Sequence, residues 1–284
     1  MAQIAYLGTG LLGAAFAEAA AKRGDTVTAW NRSPEKVAAL AAFGVKAAAS
    51  PAAAVQGAER IHLILKDDAV VDEVLAQART GLSAQAIVID HSTTLPELTA
   101  ARADRLRAEG VQYLHCPVFM GPPAARNAQG SMMVAGPRAL FDQVQAALAK
   151  MTSRLQYMGE RSDLAAANKL FGNAMIIGLA AVMADVLTLA QASDVDARDA
   201  IGLLGMLDLN AMVKGRGTNM ANGDFGASFE LTMARKDIGL MLDAAADRPL
   251  ATLPGIGARM DQLIAQGHGA QDACVLGVDA LRRA

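Results

Sequence analysis

The chain reads as an α/β protein, with an N-terminal doubly wound, mainly parallel sheet followed by an all-α C-terminal domain and a long helix joining the two. Three observations predict this. The first is Gln3-Ile4-Ala5-Tyr6-Leu7-Gly8-Thr9-Gly10-Leu11-Leu12-Gly13, an apolar strand running straight into a glycine turn. The second is the alternation of strand-like and helix-like stretches up to about residue 158, the rhythm of a parallel sheet with crossover helices. The third is the loss of strand signals after about Ser162.

The elements follow in order. After the strand at 3–7, Ala14 to Lys22 is an alanine-rich helix, and Thr26 to Trp30 is a β-branched, alternating strand. Ser33-Pro34 is placed to cap a helix over 34–43, with serine at the cap and proline in the first turn. Strands are predicted near Val45-Lys46 and over 60–65, 86–90, 112–116, 132–135 and 155–157, and helices over 69–78, 96–109 and 138–150. Gly57, Gly81 and Gly110 mark helix-to-strand turns. No proline interrupts 163–193, which as one helix would be about 45 Å long. Further helices are expected over 197–205, 209–213, 229–246, 253–266 and 272–281. The sheet domain is therefore set at 1–161 and the helical substrate and dimerisation domain at 162–284.

Composition narrows the class. A chain with 53% hydrophobic and 19% charged residues and a net charge of −2 fits a soluble globular protein without a basic surface for nucleic acid. Two cysteines, Cys116 and Cys274, imply no disulfide framework and suit a reducing cytoplasm. His62, His91, His115 and His268 show no metal-ligand spacing, so no metal site is expected. No targeting segment precedes the first strand. The uncharged run from Leu170 to Ala184 is 15 residues, short of the roughly 20 that a membrane span needs, and reads as a buried helix. Its alanine content suits close contact between helices of two subunits, so a homodimer is expected.

Gly8, Gly10 and Gly13 form Gly-x-Gly-x-x-Gly between strand and helix, the signature of a Rossmann dinucleotide site. The turn, Thr9 and the helix start at Leu11-Leu12 would present backbone N–H groups to a pyrophosphate. The second strand ends at Asn31-Arg32-Ser33 with no acid to take a ribose 2′-hydroxyl. A cation with neutral donors there favours a 2′-phosphate, and so NADP.

Three groups can carry chemistry. Lys169 and Asn173 are four apart on one helix face. A lysine above an apolar stripe can snorkel to solvent, or it can face a cleft and exchange a proton with a substrate oxygen. Asp90-His91-Ser92-Thr93-Thr94-Leu95-Pro96 lies at a strand end, where ligands bind in open α/β sheets; Ser92 or Thr93 either contacts nicotinamide or substrate or caps the next helix. His115-Cys116-Pro117-Val118-Phe119-Met120-Gly121-Pro122-Pro123 is either a stiff loop or an apolar wall of a substrate cleft.

The glycine turn, Asn-Arg-Ser, Asp-x-Ser-Thr, the Pro-Val loop, Lys-x-x-x-Asn and Lys236-Asp237 occur in an order that resembles the β-hydroxyacid dehydrogenase family. That family includes 3-hydroxyisobutyrate dehydrogenases, glyoxylate/succinic semialdehyde reductases and, more distantly, imine reductases. The resemblance spans essentially the whole chain. It implies that Gly8, Thr9, Gly10, Leu11, Leu12 and Gly13 hold the pyrophosphate and that Asn31, Arg32 and Ser33 hold the 2′-phosphate. It also implies that Leu65, Lys66 and Thr93 line the nicotinamide side, that Lys236 reaches the cofactor, and that Lys169 is the catalytic lysine with Asn173 beside it. Ser92, Phe119, Met120 and Gly121 would border the substrate. Two departures stand out. Phe119 and Met120 replace the serine and glycine of the family's carboxylate-binding segment, which implies a substrate less polar than 3-hydroxyisobutyrate. Asp163-Leu164-Ala165 replaces the Gly-x-Gly before the lysine, where Asp163 could cap the helix or supply a first-turn acid. The expectation is an NADP-dependent oxidoreductase acting on a small carbonyl or hydroxy substrate. The alternatives are an imine reductase and a catalytically silent NADP-binding protein.

Overall fold

A computed structural model describes residues 2–281; the last three residues of the expected helical domain lie outside the described residues. Nine strands form one sheet: β1 (Gln3–Leu7), β2 (Thr26–Trp30), β3 (Lys46–Ala47), β4 (Arg60–Leu63), β5 (Ile87–Asp90), β6 (Gln112–His115), β7 (Val118–Phe119), β8 (Ser131–Ala135) and β9 (Arg154–Gly159). Their order is β3-β2-β1-β4-β5-β6-β8-β7, with β9 also paired to β8. Strands β1 to β6 are parallel, β8 runs antiparallel to β6 and β7, and β9 runs parallel to β8.

The helices of this unit are α1 (Leu11–Lys22), α2 (Glu35–Ala38), α3 (Pro51–Val55), α4 (Asp68–Ala78), α5 (Pro96–Ala108), α6 (Pro122–Arg126) and α7 (Arg138–Leu148). Because side chains alternate across a strand, β1 feeds two cores. Ile4 and Tyr6 join Phe16, Ile89 and Phe141 on one face, while Ala5 and Leu7 join Ile61, Val71 and Val88 on the other. Burial on both faces explains why these strands read as nearly continuous apolar runs.

The long helix α8 (Leu164–Ala192) leads to α9 (Ala197–Gly202), α10 (Leu209–Asn222), α11 (Leu231–Ala245) and α12 (Leu253–Leu263), and a 3-10 segment covers Ala273–Leu281. The chain divides into two compact units, 1–173 and 174–284, with the division inside α8. The second unit has its own core, including Leu231, Ile238, Leu253, Leu263 and Val275. Asp185 on α8 secures the start of α12: its carboxylate accepts from Ala251 N at 2.6 Å, Thr252 N at 2.9 Å, Thr252 Oγ1 at 2.6 Å and Leu253 N at 3.0 Å. Burial, the largest single influence, pushes the Asp185 carboxyl up, but these bonds together outweigh it and hold the carboxyl below its ordinary range.

Several expectations need correction. The helix at 34–43 is α2 followed by a separate 3-10 turn, Ala41–Phe43, ended by Gly44. Pro34, not Ser33, occupies the N-cap of α2, and no side chain bonds there. The stretch Pro117–Pro123 is not a plain loop, since it contains β7 and the start of α6. Helix α10 runs nine residues past the expected end at 213; Gly215 and Gly217 lower helix propensity, but the helix tolerates them and ends at left-handed Gly223. The helix at 51–55 was not foreseen, although Ser50 caps it by accepting from Ala53 N, with Pro51 in its first turn.

The largest correction concerns the run at 170–184. It is exposed rather than buried, with Phe171 64% and Ile177 67% accessible. Helix α8 is long and apolar enough to cross a membrane by length and composition, and 6% of its most apolar window is buried. An uninterrupted apolar sequence shows that a surface wants covering, but not what covers it.

Candidate active site

The carboxyl ends of the parallel strands carry the first group of expected residues. Gly8 has φ +98°, and a Cβ there would stand 2.2 Å from the Ile64 carbonyl oxygen; a Cβ at Gly13 would stand 2.0 Å from that of Gly8. Both positions therefore exclude a side chain. Gly10, the N-cap of α1, faces open space, no side chain caps the helix, and its first turn holds no acid. The first N–H groups of α1 are thus free for an anion. Leu11 is exposed and Leu12 half-buried beside them. Thr9 is buried, and its N–H donates to Asn31 Oδ1 at 3.0 Å.

Asn31 is a clasp as well as a candidate ligand. Besides accepting from Thr9, its Nδ2 donates to the Ser33 carbonyl at 3.2 Å, which fixes the β2 end against the glycine turn. Arg32 is exposed and forms no ion pair among the described residues. A cation therefore stands free at the end of β2, and no acid accompanies it.

Buried Asp90 organises the next group. Its Oδ1 accepts from Ser92 N at 2.9 Å and its Oδ2 from Tyr113 Oη at 2.8 Å. Ser92 Oγ in turn accepts from Leu65 N at 3.0 Å. This chain sets Leu65, Lys66, Ser92 and exposed Thr93 side by side. Neither Ser92 nor Thr93 caps α5, because Leu95 holds the cap position and makes no side-chain bond. Lys66 is exposed and pairs with Asp67 at 3.5 Å.

The first turns of α8 meet β7. Lys169 Nζ donates to the Val118 carbonyl at 2.7 Å and lies 4.2 Å from the centre of the Phe119 ring. The ammonium is half-buried, and burial pulls its pKa below the ordinary lysine value. It does not snorkel freely into solvent. Gly172 completes this packing, because a Cβ there would lie 2.2 Å from Phe119 Cζ. Asn173, one turn beyond Lys169, is half-buried. Met120 packs on the adjoining core and Gly121 begins α6. Asp163 precedes the helix with its carboxylate held by Arg161 at 2.6 Å. Lys236 belongs to the second unit, on α11, and pairs with Asp237 at 3.0 Å.

Below the site lies a buried pair that sequence reasoning missed. His91 Nδ1 is 2.7 Å from the Cys116 carbonyl and its Nε2 is 2.9 Å from His62 Nδ1. Burial pushes His91 down to about 4 and His62 well below its ordinary value, so both imidazoles are neutral at pH 7. His91 must then donate from Nδ1 to Cys116 and accept at Nε2 from His62. The pair braces the strand end from which Pro117 and Val118 continue. Their 29-residue separation left no local signal.

Residues 3–159 match the family model for the NAD binding domain of 6-phosphogluconate dehydrogenase. The chain is 30% identical to 3-sulfolactaldehyde reductase of Escherichia coli (strain K12), over 96% of this chain and 93% of that one. The chain belongs to the β-hydroxyacid dehydrogenase family. Membership makes it an NAD(P)-dependent oxidoreductase with a Rossmann domain and a mostly helical C-terminal part. It is also 28% identical to glyoxylate/succinic semialdehyde reductase 1 of Arabidopsis thaliana, over 89% of this chain and 88% of the relative. An imine reductase from Streptomyces aurantiacus superposes with a TM-score of 0.87 at 25% identity, covering 99% of this chain and 100% of that one. Dehydrogenases and imine reductases thus share one scaffold, and what each reduces depends on the residues placed upon it.

Proposed function

We propose that this member of the family is an NADPH-dependent reductase of small carbonyl compounds less polar than 3-hydroxyisobutyrate, with Lys169 as the proton donor. One observation carries the reading: a half-buried ammonium held at 2.7 Å by the Val118 carbonyl, one helical turn from Asn173. The names of the Escherichia coli and Arabidopsis relatives, reductases of aldehydes, support a carbonyl substrate.

The residues present fit a dinucleotide. The open Gly10 position and the uncapped, acid-free start of α1 suit a pyrophosphate. Gly8, Thr9, Leu11, Leu12 and Gly13 shape that turn. Unpaired Arg32, with Ser33 and the Asn31 clasp, suits a 2′-phosphate. Leu65, Lys66 and Thr93 would line the nicotinamide side, and Lys236 would add a cation. When bound, the nicotinamide supplies the hydride that a carbonyl carbon accepts.

The protein's part is proton transfer and positioning. Lys169 keeps one N–H on Val118, and its remaining protons serve the substrate oxygen. Loss of hydration lowers its pKa and so makes transfer easier near neutral pH. In oxidation the neutral amine takes the proton back. Asn173 orients the substrate oxygen, Ser92 and Gly121 border it, and Phe119 and Met120 offer apolar surface where a carboxylate would find no donor. The exposed apolar face of α8 supports a homodimer, in which a second copy would cover Phe171, Ile176 and Ile177.

The test is a panel of aldehydes, aldehyde acids and one cyclic imine, run with NADPH and NADH on the wild type and Lys169→Ala. Aldehyde turnover that prefers NADPH and collapses in the variant supports the reading. The Phe119 ring, which leaves an apolar wall beside the lysine, favours imine reduction as a second reading. That reading stands instead if the imine alone is turned over. A silent NADP-binding protein would bind NADPH and turn over nothing.

A further inference from the structure

A cavity of about 480 Å³ opens at the opposite end of the sheet from the glycine turn. It is lined by Ile4 and Tyr6 of β1, Arg60 and His62 of β4, Arg23 and Asp25 after α1, and Lys150 after α7. Its volume falls within the range of small-molecule sites. The cavity lies where β1 begins, and Ile4 in its lining stands four residues before Gly8, about 13 Å along the strand, so its mouth is a different place from the dinucleotide turn.

Two independent features point to a ligand there. The first is Tyr6, whose side chain is wholly buried and whose hydroxyl has no hydrogen-bond partner among the described residues. The charges that bear on that hydroxyl are Arg23, Arg60 and Asp25, the groups at the cavity mouth. Packing against His62, with ring centroids 4.8 Å apart, keeps it from turning elsewhere. Leaving a buried hydroxyl unpaired is destabilising, and native interiors seldom retain one without a purpose.

The second feature is charge. Arg23, Arg60 and Lys150 form no ion pair among the described residues, and Asp25, the one acid lining the cavity, is engaged by Ala2 N at 3.4 Å. Three cations against one anion leave a surplus of two positive charges. Two guanidinium forks, an ammonium and a phenol are all donors, which matches a group with several acceptor oxygens and two negative charges. We infer that this cavity is a second binding site, for a small molecule that presents a phosphate group, which the Tyr6 hydroxyl and Arg60 engage and Arg23 and Lys150 neutralise.

Inorganic phosphate is the probe, titrated calorimetrically into the whole protein at fixed ionic strength, with acetate as the monoanionic comparison. The wild type is expected to bind phosphate more tightly than acetate. Arg60→Ala should weaken phosphate by about tenfold or more, as loss of one charge-assisted contact implies. Arg32→Ala should leave it unchanged, which separates this site from the dinucleotide turn. Tyr6→Phe removes only the oxygen, so it should melt higher than the wild type in phosphate-free buffer and gain less on adding phosphate. Phosphate binding that disappears in Arg32→Ala would overturn the inference. So would binding or melting shifts equal in the wild type, Arg60→Ala and Tyr6→Phe, since solvent alone would then fill the cavity and phosphate would act as a general stabilising salt.

Discussion

The end of the Phe119 ring fills the space that a Cβ at Gly172 would need, at 2.2 Å from Cζ. The same ring lies 4.2 Å from the Lys169 ammonium. One aromatic side chain therefore fixes how closely α8 approaches β7 and also forms the wall beside the proposed proton donor. Gly172→Ala should displace the ring, destabilise the protein by about 1–3 kcal/mol as overpacking does, and slow turnover. Adding Phe119→Ala should recover most of the stability. A double-mutant cycle on denaturation midpoints checks this, and simple additivity of the two substitutions would contradict the contact.

The proposed function makes Arg32 the residue on which dinucleotide choice turns. Arg32→Ala should raise KM for NADPH about tenfold or more, the worth of a charge-assisted contact to phosphate. KM for NADH should stay within about twofold of the wild type. Steady-state kinetics with both dinucleotides measures the difference.

The pH profile follows from the sign of the Lys169 shift. With Lys169 as the proposed proton donor, reduction would need the ammonium, so kcat should fall as pH rises through a pKa below the ordinary lysine value of about 10.4. Oxidation needs the amine and should rise over the same interval. Phe119→Leu removes the aromatic face that favours the charged form, and should move the break to lower pH.

Asp185 provides a test of the helical unit. Its carboxylate accepts four hydrogen bonds at the start of α12 and is 2% exposed. Asp185→Ala would leave three backbone N–H groups unpartnered, at a cost of about 3 kcal/mol. Because the folded pKa is depressed, this contribution is complete above the ordinary carboxylate range and lost as pH falls through the lowered value. Chemical denaturation of wild type and variant at neutral and acid pH should show the difference closing on acidification.

What was legible in the sequence was local. The strand, glycine turn and helix of residues 3–22 follow from spacing, and β1, β2, β4, β5, β6, β8 and β9 fall within a few residues of expectation because each is a short apolar run between turn residues. Lys169 and Asn173 stood out because four residues make one helical turn. What was hidden depends on distant partners. Nothing near Lys169 announces the Val118 carbonyl 51 residues away. The Asp90–Ser92–Leu65 chain joins two strand ends, and Gly172 looks like any helical glycine until Phe119 is placed against it. The exposure of α8 was misjudged for a related reason, since apolar periodicity cannot tell a core from a surface awaiting a partner.

The most direct test is single-turnover reduction at saturating NADPH, with an aldehyde that the wild type reduces, comparing wild type with Lys169→Met. NADPH should bind both proteins equally, and the reduction rate should fall at least about a hundredfold in the variant, the range expected for loss of a positioned acid. A variant that binds NADPH normally and reduces the aldehyde at close to the wild-type rate would contradict the assignment of Lys169 as the proton donor.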